Sequence, residues 1–271
     1  MERTIDAKTV YQALEREFRP WECTEVFSVP MGLQYHNTDR IRKVFTATFI
    51  SDEVMDQIEA RGETDCLLFT HHPVSQKKDL KKDSPPITKE LVERMKQSRI
   101  SLFTYHIPLD RNSPWSPGTN LAKAVGLTPF EEFYWQNQVR MGLLCDSPFT
   151  TLSQLSDAVE QALGHPIKCY PYGGEALKDG KVALMAGGAS NPDIYAELRE
   201  KGICAFLTGI TTPQIPWVAR NHQAARENGV SLVGGTHYST EKFALIAMTR
   251  FFEGLGLECT FLPETPNFEE L

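Results

Sequence analysis

Three short stretches of the chain carry side chains able to do chemistry together. His71-His72-Pro73, His106-Ile107-Pro108-Leu109-Asp110 and His237-Tyr238-Ser239-Thr240-Glu241 supply four imidazoles and two carboxylates. Each stands at the end of an apolar run of strand type: CLLFT before His71, SLFTY before His106, and VSLV with Gly234-Gly235-Thr236 before His237. The C-terminal ends of parallel strands are where loops gather binding and catalytic groups. Neighbouring side chains on extended backbone point to opposite sides, so His71 and His72 serve one site only if the chain turns there. Pro73 favours that turn by disfavouring helix at His72. The mixed nitrogen and oxygen donors suit Zn, Fe, Mn or a similar ion. Six donors exceed what one tetrahedral zinc requires, so a site for two divalent metal ions with bridging carboxylates and open water positions fits better. Taken singly, Asp110 could cap the following turn and Glu241 could complement the positive end of a helix. Recurrence at three strand ends favours one shared site.

The elements that must position these residues are legible in the hydrophobic pattern. Asp6 to Phe18 has helical spacing, Val44 to Ile50 (VFTATFI) reads as a buried strand, and Asp52 to Ala60 as a helix stopped by Gly62. Strand Cys66 to Thr70, helix Ile87 to Gln97 and strand Ser101 to Tyr105 follow. Three prolines and a glycine between Pro108 and Gly118 predict a loop before a short helix over Asn120 to Val125. A second series comprises strand Val139 to Cys145, helix Leu152 to Leu163, strands Ile167 to Tyr172 and Val182 to Ala186, helix Pro192 to Lys201 and strand Cys204 to Leu207. Helix Val218 to Glu227, strand Val230 to Val233, helix Thr240 to Glu253 and strand Glu258 to Leu262 complete it. This alternation predicts an α/β fold with mainly parallel sheets and the metal site at strand C-termini.

At 271 residues, 41% hydrophobic and 23% charged, the chain can build a sizeable core in one large domain or two packed ones. Its formal charge of -7 argues against general nucleic-acid binding. No apolar run reaches the roughly 18 residues of a membrane span, and MERTIDAKTVYQALEREF lacks the apolar region of a secretory signal. Cys23, Cys66, Cys145, Cys169, Cys204 and Cys259 lie far apart with no CxxC pair, as expected of reduced thiols in a cytoplasmic protein. The charge run Lys77 to Asp83 is expected to be a solvated loop. Gly187-Gly188-Ala189-Ser190 is either an anion-holding turn or, more simply, a strand-to-helix turn capped by Ser190 or Asn191. His36 and His222 are expected at the surface and His165 in a turn. Trp115 and Tyr238 adjoin the candidate ligands, where they would stack on a flat substrate or pack the cavity wall.

HHP after one strand, H-x-x-x-D after the next and H-x-x-x-E at a late strand-to-helix junction resemble the Nif-three-like dinuclear metal center hexameric family, the GTP cyclohydrolase 1 type 2 homologs. Met31-Gly32-Leu33-Gln34 is similar to that family's early glycine-leucine motif, and Gly118-Thr119-Asn120-Leu121-Ala122 to its segment after the aspartate. The resemblance spans most of the chain and is least distinctive in the middle. It implies a Nif-three-like fold of two α/β parts, with residues 1–134 and 232–271 forming the metal-binding part and 135–231 an inserted second part. It further implies a homo-oligomer, a ring-shaped hexamer with metal pairs facing an internal cavity. His71, His72, His106, Asp110, His237 and Glu241 would be the ligands, with Asp110 and Glu241 as bridges. The chain departs from the family pattern at Ile107-Pro108, where relatives commonly carry threonine-asparagine, and at Ile210, which takes the place of an acid. VFTATFI also lacks the aspartate often found at its end, although Asp52 lies close by.

Two metal ions in such a site would lower the pKa of a shared water and polarise a carbon or phosphorus centre. That is the chemistry of a metal-dependent hydrolase acting on a nucleotide or other small molecule, with Glu241 or a free histidine moving protons. In the GTP cyclohydrolase reaction that the resemblance names, water attacks the purine C8, the imidazole ring opens and formate leaves. No P-loop or purine-recognition motif is legible. The alternatives are a non-catalytic metal-binding or metal-delivery protein and an interaction scaffold whose metals only stabilise the fold.

Overall fold

The computed structural model describes residues 4–25, 31–76, 79–80 and 82–271; Lys77, Lys78 and Lys81 of the charge run lie outside them. The chain opens with β1 (Ile5–Asp6) and α1 (Ala7–Phe18), where Asp6 caps the helix by accepting from the amides of Lys8 and Thr9. Short strands β2 (Gly32–Tyr35) and β3 (Arg40–Ile41) precede two βαβ units: β4 (Lys43–Ala47), α2 (Asp52–Glu59), β5 (Cys66–Thr70), α3 (Lys89–Gln97) and β6 (Ile100–Thr104). A single turn, α4 (Ile107–Asp110), and α5 (Pro117–Val125) lead to β7 (Thr128–Gln136) and β8 (Val139–Asp146). Next come α6 (Leu152–Leu163), β9 (Lys168–Tyr170), β10 (Lys181–Met185), α7 (Asp193–Glu200), β11 (Ala205–Thr208), α8 (Pro216–Asn228) and β12 (Ser231–Gly234). The chain then returns through α9 (His237–Gly254) and β13 (Glu258–Phe261).

The first sheet has the order β13-β4-β5-β6-β2, parallel throughout except for the antiparallel edge strand β2. Its strands are apolar on both faces because both are covered. Val44, Leu67, Phe69 and Phe103 face α1 and α9, whereas Phe45, Cys66, Leu68 and Leu102 face α2 and α3. The second sheet, β7-β8-β10-β11-β12-β9, is mixed: β10, β11 and β12 run parallel, and β8 and β9 flank them antiparallel. The divisions expected at 134/135 and 231/232 fall inside β7 and β12, both strands of this second sheet. Helix α9 joins the two cores, placing Ala244, Leu245, Met248 and Phe252 in the first and Phe243 against the second. Truncating such a fully buried Leu245 or Phe252 to alanine would cost about 2–5 kcal/mol.

Two local expectations change. Residues 108–118 are not wholly loop: Pro108 and Pro117 sit in the first turns of α4 and α5, where proline's missing N–H costs nothing. Strand β7 went unrecognised in the sequence because it carries Pro129 and two adjacent glutamates. An edge strand tolerates the proline, and a tight turn through Asn137 and Gln138, both at positive φ (51° and 66°), pairs β7 with β8.

After β13 the chain folds back on the end of β4. The buried carboxylate of Glu264 accepts from the amides of Thr48 at 2.7 Å and Phe49 at 3.1 Å, while its own amide donates to Tyr238 Oη at 2.9 Å. Burial drives the Glu264 pKa from an ordinary 4.5 up to about 8, with the Thr48 and Phe49 amides opposing that rise. The folded chain therefore holds a proton that the unfolded chain releases, so this contribution to stability is full below pH 4.5 and lost as pH rises through about 8. Glu264→Gln should flatten the fall in urea midpoint across that window; an unchanged slope would assign the dependence to other groups.

Candidate metal centre

The adjacent histidines reach one site because the chain turns immediately after β5. The amides of His71 and His72 extend the pairing with the β4 side, donating to Ala47 O at 3.3 Å and Thr48 O at 2.9 Å. The Thr70 hydroxyl then donates to His72 O at 3.0 Å, drawing the backbone round. Both rings are buried, with centroids 4.4 Å apart and planes at 61°. From the end of β6, His106 brings its ring to 5.1 Å from His71 and 5.0 Å from His72. Helix α4 carries Asp110 one turn further on, and α9 presents His237 and Glu241 at i and i+4 on one face.

All six residues converge. Glu241 Oε2 lies 2.8 Å from His72 Nε2, and Oε1 lies 3.0 Å from His237 Nε2 and 3.6 Å from His71 Nε2. Asp110 reaches His71 Nε2 at 3.3 Å through Oδ1 and His106 Nε2 at 3.6 Å through Oδ2. Each carboxylate thus sends different oxygens to different imidazoles. Ligand atoms lie within 4.8 Å of one another in three groups: His71, His72 and His106; His72, His237 and Glu241; and His71, Asp110 and Glu241. His71 Nε2 is wholly buried and faces both carboxylates, yet makes no hydrogen bond of acceptable geometry among the described residues. A buried nitrogen in that state fits metal ligation, and the surrounding imidazoles and carboxylates are the donor set that a divalent cation takes. These buried His/Glu clusters are able to hold metal ions.

The neighbours set tautomers and charges. Tyr105 O stands 3.0 Å from His71 Nδ1, and Glu25 Oε1 stands 2.8 Å from His106 Nδ1. Each engages the nitrogen remote from the cluster and so directs Nε2 inward. Burial drives His72 well below the ordinary histidine range, and the carboxylate of Glu241 does not offset it. Burial acts the same way on His71 and His237, but there the carboxylates win: Asp110 and Glu241 hold His71 well above its usual value, and Glu241 raises His237. Burial also opposes ionisation of Glu241, yet His237, His72 and His71 hold it well below the carboxylate range.

Several contributors carry no signal in the sequence. Glu25 lies far from His106 along the chain and also accepts from the Ile107 amide at 3.2 Å. Phe49 stacks on His72 at 4.5 Å and 13° and meets His237 edge-on at 5.4 Å. Glu270 accepts from the His237 amide at 2.7 Å, while its carbonyl holds the amides of Thr211 and Thr212. Thr236, the α9 cap, sits at φ 65°, a costly conformation for a β-branched residue. Gly187, at φ +71°, lies so close that a Cβ there would come within 2.1 Å of Glu241 Oε1. Other residues have different places. His222 is buried rather than at the surface, because Tyr172 Oη and Thr211 O bind its two nitrogens at 2.9 and 2.7 Å. Trp115 packs edge-on against Phe251 and donates to Glu17, and Tyr238 is buried beneath Glu264, so neither forms the cavity wall.

A cavity of about 870 Å³ opens beside the cluster, with His72, His106, Asp110, His237 and Glu241 on one side. The chain matches the Duf34/NIF3 family (NGG1p interacting factor 3) over residues 5–267. It belongs to that family. Among Duf34/NIF3 relatives, it is 28% identical over 240 residues to a GTP cyclohydrolase 1 type 2 homolog of Borreliella burgdorferi, covering 87% of this chain and 89% of that one. The homolog of Escherichia coli K12 is 27% identical over 243 residues, covering 88% and 90%. In fold it is similar to the solved structure of the protein ybgI, of unknown function, with a TM-score of 0.80 at 21% identity over 97% of this chain and 100% of that one. Reduced HcgD from Methanocaldococcus jannaschii gives 0.74 at 21% identity, again over 97% and 100%. The Nif-three-like α/β fold expected from the sequence is therefore the one this chain adopts.

Because Glu25 orients His106 rather than facing the cluster, Glu25→Ala should weaken metal retention by roughly 10–100-fold while the fold survives. Chelator competition followed by elemental analysis measures this. Wild-type retention in that variant would remove Glu25 from the site.

Proposed function

We propose that this Duf34/NIF3 protein holds two divalent metal ions among His71, His72, His106, Asp110, His237 and Glu241, and uses them to hydrolyse a small molecule. The observation that carries this reading is the division of Glu241 and Asp110 between imidazoles: each carboxylate presents its two oxygens to different partners. That division supports a bridging role for both carboxylates. Zn, Fe, Mn or a similar ion would suit these donors, and ions bound there would supply a water of lowered pKa and polarise the substrate's electrophilic centre. The chain's own residues do the rest. Tyr105 O and Glu25 keep His71 and His106 in their ligating tautomers. Phe49 holds the His72 and His237 rings in place and shields them from water. Glu241 serves better as a ligand than as a proton carrier, since its histidine neighbours hold it ionised. The relatives' name supports a nucleotide substrate of the GTP cyclohydrolase type, and the family resemblance supports a ring-shaped hexamer. Six unpaired cysteines agree with a cytoplasmic setting.

Anomalous scattering collected across the iron, zinc and manganese edges, from crystals grown without chelator, is expected to give two peaks among these residues. Fewer than two would sink the dinuclear reading. Asp110→Asn and Glu241→Gln should each lower metal stoichiometry and abolish metal-dependent turnover while the chain stays folded. Light scattering of the wild-type protein is expected to give six times the chain mass.

A further inference from the structure

The cavity wall away from the histidines is built by α8 and the loop after β10. Trp217, Arg220 and Asn221 are spaced i, i+3 and i+4, so they share one helix face. Asn221 Nδ2 donates to Ala189 O at 2.5 Å and fastens that face to the loop. Within the loop, Gly187 abuts Glu241, and a methyl group at Gly188 would stand 3.6 Å from Trp217 Cη2 and 3.5 Å from Ile210 Cδ1. Two consecutive residues, whose Cα atoms are about 3.8 Å apart, thus separate a candidate bridging carboxylate from an indole ring. One small molecule can touch both.

The chemistry of this wall differs from that of the metal side. Ile210, Ile215, Met185 and Met141 make it apolar around the half-buried Trp217. Among the described residues, two basic side chains line the cavity besides the histidines. Lys82 is engaged with Asp79 at 3.1 Å, whereas Arg220 pairs with no carboxylate among the described residues. Asn137, also on the cavity, has a buried Nδ2 with no hydrogen-bond partner among the described residues. An apolar aromatic wall, an unengaged guanidinium and a spare amide donor make a site for a flat ring that carries an acceptor and an oxyanion.

We propose that the substrate binds with an aromatic ring against Trp217 and a phosphate or carboxylate on Arg220, Asn137 donating to the ring's acceptor. This places the rest of the molecule over Glu241. The inference rests on the metal reading only for the location of the reacting end.

Calorimetry on the full, metal-loaded chain tests it with two probes, a purine nucleoside monophosphate and 2-naphthoate, which distinguish the phosphate from the carboxylate. The parent nucleoside and ribose phosphate each offer one half of the recognition. At least one probe should bind, with its half-molecule controls roughly tenfold weaker or worse. Trp217→Ala and Arg220→Gln should each weaken binding by roughly tenfold with metal content retained, and Trp217→Phe should restore most of it. If Trp217→Ala fails to fold, Trp217→Phe and Arg220→Gln still decide the matter through the ring's rescue and the anion's loss. Absence of binding by both probes at millimolar concentration, or wild-type binding in the Arg220→Gln chain, overturns the proposal. Metal stoichiometry measured in parallel keeps the two readings apart: probe binding that persists in a chain unable to hold two ions counts against the metal centre alone.

Discussion

The carboxylate of Glu241 is nearly inaccessible to water and is held ionised by three histidines drawn from one strand end and one helix. A buried charge without partners would cost several kcal/mol. Its partners therefore have to arrive together: β5 with His71 and His72, and α9 with His237. Neither element could place its polar groups inside the protein alone. The cluster is satisfied only once the tertiary fold has closed, and a cation would complete it.

Much of the surrounding structure can be read as support for that placement. Gly187 leaves room for the carboxylate that any side chain would displace, and the bend before α9 is fixed at Thr236 in a conformation that threonine adopts at a cost. Glu270 offsets part of that cost by taking the His237 amide, and it ties the end of the chain to the loop after β11. On the other side, Glu264 grips the amides of Thr48 and Phe49, and Phe49 in turn lies flat on His72. Glu264 and Glu270, both near the C-terminal end of the sequence, thus brace the centre from two sides.

The two sheets contribute different chemistry to one cavity. The parallel strands of the first sheet deliver imidazoles and carboxylates, as expected at their C-terminal ends. The second sheet delivers an apolar face with Trp217 and Arg220, carried by α8 and set close to Glu241 by a pair of glycines. A cluster of imidazoles and carboxylates on one wall and a mainly apolar, aromatic face on the other is a composition suited to a small-molecule site.

The sequence by itself determined most of the longer elements and the six polar residues. Apolar periodicity reports burial, and the His-His, His-Asp and His-Glu spacings stand directly beside strand ends, so both signals are local. Helix Leu152–Leu163 and strand Cys66–Thr70 lie where the pattern puts them. Strand β7 was hidden because its stability comes from pairing with β8 rather than from its own composition. Only the tertiary structure decided which groups meet. Glu25, Phe49, Gly187 and Glu270 reach the centre from positions far along the chain, and no periodicity records such a contact. His222 was misplaced for the same reason: its burial depends on Tyr172 and Thr211, partners that a helical pattern cannot name. Local sequence encodes what each residue tends to do, whereas closure of the sheets chooses its neighbours, and in this chain those neighbours raise His71 and His237 and hold Glu241 ionised, while burial itself governs His72 and Glu264.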